Sequence, residues 1–459
     1  MEASGVLSIA LVLGVGGLGE LKFGGGSKAG MPPPPRTLSF SPQLSETYGE
    51  IFTVHLGSRP CVVLCGYRLL KEALIDHAEE FSGRGDFLDT PAPGIVYGNG
   101  ERWRQLRRFA IVTLKSFGMG KRGAEERVRE EAQHLIQQLY QTHGQPFDPT
   151  FLLSCAGSNI ICWLVFGERF EYGDERFLAL MGLINLLFIF PNIMRFVPGP
   201  HQRIYANYLR LAEFVGERVR RNRQTLDPQN PRDFIDCFLL KMQQEKGNPD
   251  THFTEDTLSK TTVNLFFAGT ETVSSTLKYG LRILLRHPEV EARLHEEIDR
   301  VIGRHRSPCM EDRSRMPYVD AVIHEIQRFA DIVPMGVPHT TTRDIQLRGY
   351  AIPKVGMNVI PLLCTSQFDP SRFANPQTFD PGHFLDENGR FKRNDAFMAF
   401  SRVCLGEGLA VMELFIFLTS ILQHFQLKAE EDQATIDITP ESSGLGNIPR
   451  PYRLSLIPR

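Results

Sequence analysis

The stretch FMAFSRVCLGEGLAVMELF, Phe397 to Phe415, sets Arg402, Cys404, Gly406 and Glu407 just ahead of an apolar run. A thiol at the start of a helix meets unpaired N–H groups and the positive end of the helix dipole. Both favour the thiolate, the form that ligates metals. Arg402 adds positive charge, and Gly406 lets a flat cofactor approach the backbone closely. Taken alone, the same residues also read as a buried, unligated cysteine on the way into the core.

Three further clusters carry polar groups in unusual company. In NLFFAGTETVSSTL, Ala268 and Gly269 remove bulk while Thr270, Glu271 and Thr272 put an acid and hydroxyls mid-helix. A hydroxyl there can bond back to the carbonyl four residues earlier, opening a slot beside the backbone that suits a small ligand and its proton supply. The same run also reads as a packing notch where another helix crosses. In HEIQRF, Glu325 and Arg328 share a helix face; most such pairs are solvated, while the apolar neighbours here point to a buried pair, which needs further partners to be stable. In ERWRQLRRF, Trp103 and Arg107 share a face and present an indole donor beside a guanidinium, a clamp for carboxylates. A basic amphipathic surface helix is the competing reading.

The elements that must position these groups are mostly helical. EIFTVHLGSRPCVVLCG reads as a two-stranded hairpin. Helical periods follow in YRLLKEALIDHAEEF, GERWRQLRRFAIVTLKSF and AEERVREEAQHLIQQLYQTHG. SNIICWLVFGERF is apolar on nearly every side and reads as a central buried helix capped by Gly167. The strongly apolar, proline-broken run around Leu186 to Phe196 reads as a lid over a pocket or a membrane-touching surface. A long helix is expected from Thr254 to about Leu285, and PEVEARLHEEIDRVIG reads as a helix with a solvated, charge-alternating face. From Arg343 the chain turns strand-like, then loop-rich, and it ends in a helix and short strands. The fold class is therefore mainly α with a small β portion, an α+β protein.

Composition sets outer bounds. The 459 residues are 42% hydrophobic and 23% charged with a net charge of −2, which points away from nucleic acid. The eight cysteines show no C-x-x-C pair, against a zinc ribbon or disulfide scaffold. Residues 3–21 form a glycine-diluted apolar run and a candidate membrane anchor, residues 22–36 a Gly/Pro-rich linker, and residues 37–459 one large domain.

The order Trp103…Arg107, AGTET, Glu325-x-x-Arg328, FDPGHF and Phe400…Arg402-x-Cys404-x-Gly406-Glu407 resembles that of a cytochrome P450. EEFSGRG, MPYVDAVIHEIQRFADIVPMGVPH and SSGLGNIPRPYRLSLIPR resemble the vertebrate microsomal family 2, and the similarity runs from about Tyr48 to Arg459. The resemblance implies a triangular helical body around haem b, with Cys404 as the axial thiolate that favours O–O cleavage. It implies that Glu271 and Thr272 relay protons, that Arg84, Trp103, Arg107, His339 and Arg402 hold the haem propionates, and that Glu325 and Arg328 lock the core. Phe266, Ala268, Val333 and Met335 would line the substrate pocket. It further implies a monooxygenase acting on small lipophilic substrates at the cytoplasmic face of the endoplasmic reticulum membrane. O2 would be the oxidant, with electrons from NADPH through NADPH–cytochrome P450 reductase, docked on basic residues such as Arg108, and with cytochrome b5 as a further partner. The chain departs from the family's F-x-x-G-x-R-x-C by lacking three residues before Cys404. That shortening motivates the alternative expectation of a catalytically impaired or haem-free relative.

Overall fold

The computed structural model describes residue 45 and residues 48–56, 59–85, 94–119, 122–184, 200–354, 357–396, 403–443 and 446–459. The candidate anchor, the linker and the apolar lid lie outside the described residues. Among the described residues, ten helices of ten residues or more form the body: α1 (Gly100–Ser116), α2 (Arg122–Tyr140), α3 (Thr150–Phe166), α4 (Glu175–Ile184), α5 (Pro200–Gln224), α6 (Phe234–Gln244), α7 (Glu255–Arg286), α8 (Pro288–Val301), α9 (Pro317–Ala330) and α10 (Glu407–His424). Their termini follow local chemistry. Thr254 and Thr257 cap α7 reciprocally, and the Asp233 side chain accepts from the Asp236 N–H at the start of α6. Pro288 and Pro317 occupy first-turn positions where no donor is needed. As expected, α3 ends at Gly167 in the left-handed region, φ 70°.

At the centre, α7 lies against α3. The two helices approach closely because each is notched for the other. A Cβ on Gly269 would collide with Cγ1 and Cδ1 of Ile161, and Gly157 abuts the carbonyl of Thr270. The Ser158 hydroxyl crosses the seam to Thr270 Oγ1 at 3.0 Å. Helix α10 is long and apolar enough to cross a membrane, but it is mostly buried and serves as a core helix.

The strands are β1 (Ile51–Leu56), β2 (Arg59–Cys65), β3 (His339–Thr340), β4 (Ile345–Leu347), β5 (Tyr350–Ile352), β6 (Asn358–Leu362), β7 (Phe425–Ala429), β8 (Pro440–Ser443), β9 (Asn447–Pro449) and β10 (Leu454–Pro458). The expected hairpin β1–β2 is the outer part of a sheet ordered β1-β2-β6-β3. Strand β2 pairs parallel with β6, Cys61 opposite Asn358, so β6 is buried throughout.

One reading is corrected. The charges of α8 do not all face solvent: Glu291 and Glu297 are buried. Each accepts a backbone N–H from another element, Glu291 from Leu427 at 2.7 Å and Glu297 from Val319 at 2.8 Å. A buried amide far along the chain needs an acceptor, and these carboxylates supply it.

Candidate functional site

Cys404 is the exposed member of the eight cysteines, all free; Cys61, Cys65, Cys155, Cys162 and Cys364 are buried. It stands two residues ahead of the 406 cap of α10. Although much of its surface is open, surrounding protein raises its thiol pKa above the ordinary value. The backbone N–H groups of Gly406 and Glu407 and the Arg107 cation pull it back, while the Glu407 charge pushes it up. Arg107 donates to the carbonyl of Val403, tying α1 to the segment that carries the thiol. Its guanidinium lies 5.6 Å from the Trp103 ring centroid, so the two share the face expected of them. Burial lowers the Arg107 pKa, against which the nearby Cys404 acts.

A second cationic group comes from residues 81–85, which are stitched to β3. His339 Nδ1 pairs with the Phe81 carbonyl at 2.5 Å, and the Thr340 N–H donates to the Gly83 carbonyl at 2.8 Å. Gly85 leaves no room for a Cβ beside Asn358 and Thr340. Arg84 is thereby aimed at the loop before β3 and donates to the carbonyls of Val337, at 2.7 Å, and Pro338, at 3.0 Å. Burial pulls its pKa down to about 10, and its Nε is buried without a partner. Arg402 lies outside the described residues.

Along α7 the packing notch is present, and the polar residues beside it lie on another face. Gly269 is the notch for Ile161, while Ala268 is exposed and Thr272, one turn on, is partly so. The Thr272 hydroxyl donates back to the Ala268 carbonyl at 2.8 Å. Glu271 sits beside it with Oε1 buried and unpartnered, and burial raises its pKa to about 7, moderated by Lys278. Phe266 turns away from the Ala268 face. It is fully buried against Phe166, ring centroids 6.0 Å apart, because two residues along a helix is more than half a turn from Ala268. Phe267, adjacent to Ala268, is half-buried. Val333 is half-buried, and Met335 is buried in the cluster under the sheet.

Glu325 and Arg328 are both fully buried and bonded to each other at 2.7 Å. The further partners they require are present. Arg328 donates to the carbonyls of Gln367, Pro376 and Thr378. Glu325 accepts from the Asp380 N–H and pairs with His383.

The donor set fits a haem. A reachable thiol at a helix start, an orphaned Arg84 Nε and an indole beside a guanidinium match a metal with two carboxylates to hold. The sequence profile described as Cytochrome P450 matches residues 36–456. The chain belongs to the cytochrome P450 family. It is similar to cytochrome P450 2F3 of Capra hircus, 51% identical over 461 residues that cover 93% of this chain and 94% of the relative. It is similar to cytochrome P450 2G1 of Oryctolagus cuniculus, 53% identical over 436 residues covering 91% and 88%. The human cytochrome P450 2F1 is 51% identical over 466 residues covering 94% and 95%. As a cytochrome P450 of family 2 type, this protein is a monooxygenase that uses haem b, with O2 and NADPH-derived electrons. The haem-free alternative draws no support from these comparisons, and the shortened segment behind it, residues 397–402, lies outside the described residues.

Proposed function

We propose that this cytochrome P450 oxygenates small lipophilic molecules, xenobiotics, fatty acids or steroids, at the cytoplasmic face of the endoplasmic reticulum membrane. NADPH–cytochrome P450 reductase supplies electrons, cytochrome b5 acts as a second donor, and basic residues of α1 such as the exposed Arg108 receive the acidic partner. The observation that carries the reading is the joining of Cys404 to α1 through Arg107 and the Val403 carbonyl. That contact ties the segment carrying the thiol to one of the cations that would hold the propionates.

When bound, the haem supplies the activation of O2. The protein's part is to hold it and to meter protons. Cys404 Sγ would ligate the iron, with the Gly406 and Glu407 N–H groups supporting the thiolate. Arg84, Trp103, Arg107, His339 and Arg402 would hold the carboxylates. A carboxyl with a pKa near 7 exchanges its proton readily at neutral pH, so Glu271 can hand protons to the Thr272 hydroxyl, whose own hydrogen bond fixes its orientation. Ala268 and Val333 would meet the substrate. The test is the spectrum of reduced protein under CO. A Soret band of thiolate ligation in the native chain, abolished by Cys404→Ala, is expected. A neutral-thiol or histidine-type band in the native chain would overturn the assignment.

A further inference from the structure

We infer that Asn99 is a positioning residue that clamps Arg84 onto the Trp103–Arg107 stripe and so assembles the carboxylate-holding cations before the haem arrives. The inference rests on the haem reading above. Asn99 occupies the cap position of α1, where asparagine is favoured because its side chain can satisfy an unpaired helix N–H. It makes no such bond. Instead its carboxamide spans the backbone of Arg84, accepting from the N–H at 2.7 Å and donating to the carbonyl at 2.6 Å. The amide thus imitates a neighbouring strand, and a helix cap is forgone for it.

Position explains the use. Asn99, Trp103 and Arg107 fall at i, i+4 and i+8, one face of α1. The Arg84 side chain is held from the other direction by the Val337 and Pro338 carbonyls, next to His339. Asn99 is therefore a joint between the half of the site built on β3 and the half built on α1. Both halves are cationic and repel when the carboxylates are absent. A joint that holds them together lowers the ordering cost of binding a dianionic group. Asn99 itself is exposed, so its loss removes the joint without opening the core.

The test follows haem leaving full-length holoenzyme for excess apomyoglobin, with haem b and with the haem dimethyl ester loaded in its place. Asn99→Ala is expected to release haem b about tenfold faster, the effect of losing one or two net hydrogen bonds. It should release the ester, which has no carboxylates to hold, within twofold of the native rate. Equal release of haem b by native and Asn99→Ala protein overturns the inference, as does equal acceleration for both porphyrins, which marks a merely structural role. Should Asn99→Ala fail to fold, Asn99→Asp carries the same comparison, since it keeps the acceptor and loses the donor. Native protein that takes up no haem overturns the functional reading itself, an outcome distinct from the others.

Discussion

Replacing Glu325 by Gln removes one charge and one acceptor from a fully buried network. In the native protein Oε1 accepts from Arg328 Nη2 at 2.7 Å and the Asp380 N–H at 2.9 Å and pairs with His383 Nδ1 at 3.1 Å, while Oε2 accepts from Arg328 Nε at 2.7 Å. A carboxamide can keep the oxygen at the first position only by turning its NH2 toward the Arg328 Nε–H. Donor then faces donor, and the guanidinium is left buried without a counter-charge. Stranding one partner of such a pair costs about 3–5 kcal/mol. Against a total stability of roughly 5–15 kcal/mol, that is a fifth or more of what holds the fold. Equilibrium urea unfolding, followed by far-UV circular dichroism, should show the midpoint fall with little change in slope. The double variant Glu325→Leu with Arg328→Met should not recover native stability, because it orphans the carbonyls of Gln367, Pro376 and Thr378. A Glu325→Gln protein within about 1 kcal/mol of native would refute the reasoning, as would a double variant as stable as native.

Gly269→Ala should destabilise by about 1–3 kcal/mol through collision with Ile161, and a second change, Ile161→Ala, should return part of the loss in the same unfolding assay. Glu271 binds its proton more tightly folded than unfolded, so its burial weakens the fold as pH rises from about 4.5 to about 7, and the penalty persists above that. Glu271→Gln should therefore be more stable than native at pH 8, by up to about 3 kcal/mol, and near parity at pH 4; a pH-independent difference would contradict this. Brief alkylation of haem-depleted protein, mapped by mass spectrometry, should label Cys404 well before the five buried cysteines. Comparable labelling of Cys162 or Cys364 would refute the assigned exposure.

What could be read in the sequence was what short-range pattern controls. The apolar periods placed the helices, Gly167 and Thr254 marked their ends, and the need of a buried Glu325–Arg328 pair for more partners follows from its apolar neighbours. What escaped reading depends on distant segments. Nothing near Glu291 or Glu297 reveals that Leu427 and Val319 will lack acceptors. Phe266 and Phe267 are adjacent phenylalanines, and only the packing of α3 decides which one turns away from Ala268. Asn99 before a helix reads as a cap. The one local hint of another use, the Gly100 that follows it, does not disclose Arg84 as its partner.

The parallel pairing of β2 with β6 also governs how the chain is made. The Gly66 N–H at the end of β2 donates to a Thr365 hydroxyl 299 residues later. A ribosome adding 5–20 residues per second leaves the β1–β2 hairpin waiting on the order of 15–60 s for that partner. During the wait its apolar strands present an open edge, and closing so long a loop makes the sheet a late step rather than a nucleus. Hydrogen exchange on chains arrested before residue 358 should find β2 unprotected and α3 already slow. On this reasoning α3 and α7, both complete before β6 is made, pack ahead of the sheet that carries His339.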